Sequence, residues 1–95
     1  MFAILLEFSS QKSQAPSHME GHNAWLQKGF DDGVFLMSGS LQPGRGGVVL
    51  AAGEALEAVQ HRVAQDPFVE HDVVKATVLE FSPSKADPRL QFLVD

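Results

Sequence analysis

The sequence predicts an α+β fold built in the order β-α-β-β-α-β. Three observations carry this. Four runs rich in Val, Ile, Leu and Phe, namely FAILLEF, VFLMSGSL, VVLAA and DVVKATVLEF, are too short for helices and have the length of strands. Two stretches between them repeat apolar residues every three or four positions, the period of an amphipathic helix. The second and third runs are separated only by QPGRGG, which is turn chemistry with no room for a helix.

Phe2 to Phe8 forms the first strand, with Phe2, Ile4 and Leu6 alternating with Ala3 and Leu5. It carries Glu7 and lacks a basic n-region and a small-residue cleavage site, so it reads as a strand rather than a signal peptide. SSQKSQAPS follows as a loop. Ser17, with Glu20 three residues on, fits a capping box and places a helix start there. The helix runs to about Asp32 and stops at Gly33, a natural C′ residue. At about 100° per residue, His22 shares a face with Met19, Leu26 and Phe30, so an imidazole is expected among side chains that should be buried.

Val34 to Leu41 is the second strand, and VVLAA resumes as the third, which makes an antiparallel hairpin. From Glu54 the period changes: Ala55, Leu56, Val59 and Val63 form a helical stripe, with Glu57, Gln60 and Arg62 outside it. That helix ends around Asp66, because Pro67 disfavours the helical conformation in the residue before it. In the fourth strand, Val74, Ala76 and Val78 lie on one face and Val73, Lys75, Thr77, Leu79 and Phe81 on the other. Beyond it, Leu90, Phe92 and Val94 alternate after Pro88, which predicts that residues 89–94 add an edge strand, docked on a partner subunit.

This order is the split βαβ plan of ferredoxin-like domains, with one antiparallel sheet. Residues 1–95 read as one domain, with a core to residue 82 and a C-terminal extension over 83–95. Two helices cover only one sheet face, yet the strands are apolar on both. A homodimer packed sheet on sheet is the simplest cover.

Composition narrows the chemistry. There is no cysteine, which excludes disulfides, thiolate nucleophiles and cysteine-ligated zinc and favours a cytoplasmic location. Seven basic against twelve acidic residues, with no basic cluster, argue against a nucleic-acid partner. No stretch approaches the roughly 20 apolar residues that a membrane span needs.

His18 and His22 have helical i, i+4 spacing, but Met-Glu-Gly between them and the lack of a third ligand leave no metal site. GRGG lacks the strand–helix context of a phosphate cradle, and Ser38-Gly39-Ser40 stays within a strand, unlike a nucleophile elbow. No cofactor motif remains. Two residues do: His22 and Asp66. A carboxylate before proline can begin a turn and cap the following amides. It can equally pair with an imidazole to make a positioned general acid/base. Spacing alone leaves both readings open.

The order and spacing of HNAWL (His22 to Leu26), DDGVFLMSGSL and EALEAVQHRVAQDPF resemble the YciI-like (YCII) proteins, small dimeric α+β-barrel proteins related in fold to muconolactone isomerase. The resemblance covers roughly residues 1–82. It implies a His–Asp pair in a pocket between the first helix and the sheet, with His22 in the histidine role and Asp66 in the aspartate role. It also implies that Ser38 and Gly39 border that pocket and contact a small-molecule ligand. One branch of the family is associated with dehydrochlorination of a chlorinated hydroxyhydroquinone. Proton transfer on a cyclic, enolisable substrate suits such a dyad with no cofactor. Two functions therefore stand: a cofactor-free lyase or isomerase, or a non-enzymatic binding or regulatory domain whose pocket holds a small molecule. The turn QPGRGG is shorter than the loop of many relatives, and the segment SKADPRLQFLVD runs past the usual end of the family's core.

Overall fold

The computed structural model describes residues 1–94; Asp95, the last residue of the C-terminal extension, lies outside them. Strands β1 (Phe2–Phe8), β2 (Phe35–Leu41), β3 (Gly46–Ala51) and β4 (Val74–Glu80) form one sheet in the order β2-β3-β1-β4. Every neighbouring pair is antiparallel, so β1 and β2 run parallel with β3 between them, the split βαβ arrangement. Helices α1 (Ala15–Asp31), α2 (Leu56–Ala64) and the one-turn α3 (Pro67–Glu70) complete an α+β, ferredoxin-like fold.

The period-2 pattern of β1 decides which face is buried. Phe2, Ile4 and Leu6 point at the helices and, with Val49 and Ala51 of β3, form the floor of the core. Trp25, Val59, Val63 and Phe68 close it from the helix side. Ala3 and Leu5 point the other way, opposite Leu50 and Val48 on one side and Leu79 and Thr77 on the other. On this outer face Met37 is 58% and Leu79 50% exposed.

Helix α1 begins at Ala15, two residues before the expected cap. Pro16 sits in the first turn, where its fixed φ starts a helix and its missing N–H costs nothing. Gln14 is the N-cap and makes no side-chain cap bond, so Ser17 lies within the helix and the capping box does not form. The other end is as expected: Gly33 takes φ +74° and its N–H donates to the Phe30 carbonyl at 3.0 Å.

The buried face of α1 carries Ala15, Trp25 and Gly29, while Met19 and Phe30 remain 41% and 37% exposed. The helix is turned by its best anchor. Trp25 packs edge-on against Phe35, with ring centroids 5.0 Å apart, and its indole N–H donates to the Arg62 carbonyl at 2.8 Å. His22, Met19 and Leu26 are left overlooking the β2–β3 half of the sheet.

Arg62 ties three segments together. Its guanidinium donates to both carboxylate oxygens of Glu54, at 2.8 and 3.3 Å, and to Asp32 at the end of α1, at 2.9 Å. Hydrogen bonds from Arg62 hold the carboxyls of Asp32 and Glu54 below their ordinary values. Carboxyls with depressed folded-state values stabilise the fold above their unfolded values, near pH 4, and that stabilisation is lost as pH falls further. Arg62→Gln is therefore expected to lower the urea midpoint at pH 7, with a gap to wild type that narrows below about pH 4. A gap independent of pH would place the contribution of Arg62 in packing alone.

The C-terminal extension departs from expectation. Pro88–Leu93 forms 3-10 turns, not an edge strand. The Asp87 carboxylate accepts from the Arg89 N–H at 2.9 Å, and Pro88 presets the first turn, so a local cap outweighs the apolar alternation. Leu90 remains 47% and Phe92 63% exposed. Among the described residues, no helix is long and apolar enough to cross a membrane.

Candidate active site

Asp66 does two things that the sequence left as alternatives. It is the N-cap of α3, where Pro67 occupies the first turn and the Phe68 N–H donates to Asp66 Oδ1 at 3.0 Å. The same oxygen lies 2.8 Å from His22 Nδ1, across 44 residues of sequence. Local chemistry and tertiary pairing thus converge on one atom. The Asp66 side chain is fully buried and that of His22 is 13% exposed.

A carboxylate oxygen can only accept, so the hydrogen-bond network assigns the N–H to Nδ1 and, in the neutral ring, leaves Nε2 as the bare nitrogen. The second oxygen, Asp66 Oδ2, is buried with no hydrogen-bond partner among the described residues.

One short turn supplies both supports of the imidazole. Phe68, two residues after Asp66, lies flat beneath His22, with ring centroids 4.1 Å apart and planes within 6°. Contact between the helices depends on Gly21, next to His22: a Cβ there would stand 3.0 Å from Pro67 Cγ, next to Asp66. Gly21→Val is expected to cost about 1–3 kcal/mol through overpacking and to disturb the His22 ring signals. Thermal melts and imidazole NMR check this. An undisturbed ring would mean that the dyad does not need this close approach.

His22 borders a cleft of about 300 Å³ between α1 and the β2–β3 half of the sheet. Leu6, Met19, Leu26 and Phe68 give it apolar walls. Ser38 and Ser40 line it from β2; they pair with Val49 and Gly47 on the helix side of the sheet, yet stay exposed because the helices do not reach this edge. Gly39 borders the cleft too, but it alternates with the serines, and its missing side chain belongs to the outer face with Met37, Val48 and Leu50. Only its backbone can serve the cleft.

From the sequence, no site role was assigned to Ser40, Gly21 or Gly47, nor to Phe68, which entered only as the end of the QDPF stretch. Ser40 was legible as the i+2 partner of Ser38 and Gly21 as a residue that weakens its helix, whereas Gly47 fell within the expected turn QPGRGG and lies in β3 because that strand starts at Gly46. His18, one turn before His22, stacks on His71 at 4.1 Å, and among the described residues no group of three or more candidate metal ligands gathers.

Fold and site together define a small ferredoxin-like domain that presents an oriented imidazole to a ligand-sized cleft. Residues 1–82 match the YCII-related domain, and the chain belongs to that family. Among solved structures, it is similar to 5-chloro-2-hydroxyhydroquinone dehydrochlorinase from Burkholderia phenoliruptrix AC1100 in complex with 2,5-dihydroxybenzoquinone. The TM-score is 0.68 at 14% identity, over 85% of this chain and 93% of that one. No curated protein matches the chain by sequence.

Proposed function

We propose that the chain is a cofactor-free enzyme that uses His22 and Asp66 for acid/base chemistry of the lyase or isomerase type on a small cyclic substrate, a hydroxylated aromatic ring or a lactone. The observation that carries this is the 2.8 Å bond between a fully buried carboxylate and an imidazole that borders a cleft. A buried carboxylate with one oxygen unpaired is a costly way to secure one helical turn, since a serine or asparagine caps as well. Its cost makes sense if it orients a base.

In this reading Nε2 takes a proton from a carbon next to a ring carbonyl, or from an enol hydroxyl, and the electron pair left behind moves into the ring. In an elimination that pair expels a leaving group such as chloride; in an isomerisation the imidazolium returns the proton to another carbon. Asp66 steadies the imidazolium while it exists. Ser38 and the Gly39 backbone hold the ring oxygens. The structural neighbour, by its name, removes hydrogen chloride from a chlorinated hydroxyhydroquinone, a reaction of this type.

Chloride release from chlorinated hydroxyhydroquinones and double-bond shifts in enol lactones, followed for wild type and His22→Gln, test the proposal. Turnover by wild type that is lost in the variant is expected. Tight binding of the same rings with no turnover would make the chain a binding domain instead.

The outer sheet face belongs to the same proposal: a second copy covers it, forming the homodimer. Wild type is expected to sediment as a dimer at micromolar concentration, and Met37→Lys with Leu79→Lys to sediment as a folded monomer. A monomeric wild type would remove this part of the reading.

A further inference from the structure

Gly47 stands inside β3, where glycine weakens a strand. Neither of the usual reasons for a glycine applies to it. Gly33, Gly44, Gly46 and Gly53 take positive φ, but Gly47 does not, so its backbone would accept any residue. Nor does another segment press on it: a Cβ at this position would meet only the Gly39 carbonyl oxygen, at 3.4 Å. Its register is informative. Gly47 pairs with Leu6 on one side and Ser40 on the other, on the sheet face that looks at α1. A side chain there would project into the cleft that His22 borders. Among the described residues that line this cleft there is also no lysine or arginine.

We propose that Gly47 is the size-determining position of the cleft, leaving floor space for a flat, uncharged, ring-sized ligand that lies on β3 with its oxygens toward Ser38 and Ser40. The inference rests on the acid/base reading for its purpose, but not for its geometry. A ring stacked over a bare strand position gains contact area on one whole face. Hydroxyl or carbonyl oxygens on its rim find the two serine hydroxyls. A carboxylate or phosphate would find no lysine or arginine there, only an imidazole already paired with Asp66, so an uncharged ring is favoured over an anionic one. Lengthening residue 47 fills the floor beside Ser40, its cross-strand neighbour, while leaving the His22–Asp66 hydrogen bond and both serine hydroxyls in the chain.

Amide shifts of the isotope-labelled protein, titrated with phenol and separately with 4-hydroxybenzoate, read the site directly. Wild type is expected to shift at residues 38–40 and 46–49 with phenol and far less with the benzoate. Gly47→Val, a residue well suited to a strand, is expected to melt no lower than wild type yet to bind phenol about tenfold or more weakly, with Gly47→Ala in between. His22→Gln should still bind phenol, which separates this inference from the catalytic one. Equal phenol affinity in wild type and Gly47→Val would overturn the role of Gly47 while leaving the acid/base reading standing. Shifts scattered away from the cleft, or benzoate bound as well as phenol, would overturn the proposed ligand class.

Discussion

Replacing His22 by glutamine is expected to lower turnover by about 10²–10⁴-fold, the range that a positioned general base contributes. The melting temperature should move little. Glutamine is of similar size, and its amide N–H₂ can donate to Asp66 Oδ1 as Nδ1–H does, so the buried carboxylate keeps its partner. It can lie against Phe68 as a planar group. What it lacks is a basic lone pair at the position of Nε2. A His22→Gln protein that folds and binds but does not turn over would isolate the base. One with undiminished activity would move the chemistry elsewhere.

The largest stability effect is expected at Asp66. Asp66→Ala removes the N-cap of α3 and thereby leaves the Phe68 N–H buried without its acceptor, a single loss of about 1–3 kcal/mol. The imidazole also loses its anchor. For a domain of this size each kcal/mol shifts the melting temperature by roughly 4–8 °C, so a drop of about 10 °C or more is expected. Asp66→Asn separates structure from chemistry. Its amide oxygen still accepts from Phe68 N–H and caps the turn, so most of the stability should return. The charge that steadies an imidazolium does not, and activity should stay low. Calorimetry on the two variants checks the contrast; if Asn and Ala melt alike, capping is not what Asp66 contributes.

The architecture was legible because its signals are local. Strand alternation in β1 and β4, the QPGRGG hairpin and the Gly33 stop each follow from a few neighbouring residues, and the structure keeps all of them. What failed depended on competition between signals. Ser17 fits a capping box, but Pro16 starts the helix first. Leu90, Phe92 and Val94 alternate like a strand, but Asp87 and Pro88 set a tighter local turn. Of the expected buried face of α1, His22 and Leu26 are partly buried but Met19 and Phe30 are not, because Trp25 finds an acceptor on Arg62 and a ring on Phe35, neither visible from the helix alone.

The site followed the same division. His22 and Asp66 stood out by residue type, and family resemblance joined them, because 44 residues of spacing say nothing about contact. The one-turn α3 escaped notice because a single turn has no period, and with it went Phe68, the ring beneath His22. Gly21 was readable as a misfit in its helix while Gly47 was hidden in the expected turn, and what each makes room for requires the neighbouring element.

The tautomer of His22 tests the central claim most directly. Long-range ¹H–¹⁵N spectra of the four histidines, recorded at a pH where imidazoles are neutral, distinguish a protonated from a bare ring nitrogen. A carboxylate at 2.8 Å from Nδ1 should hold His22 in the Nδ1–H form with Nε2 bare, opposite to the preference of a free imidazole side chain. In Asp66→Asn, whose amide can also turn to donate, that fixed assignment should weaken. If His22 instead averages between tautomers like an exposed histidine, or carries its proton on Nε2, the dyad is not formed as described and the acid/base account fails.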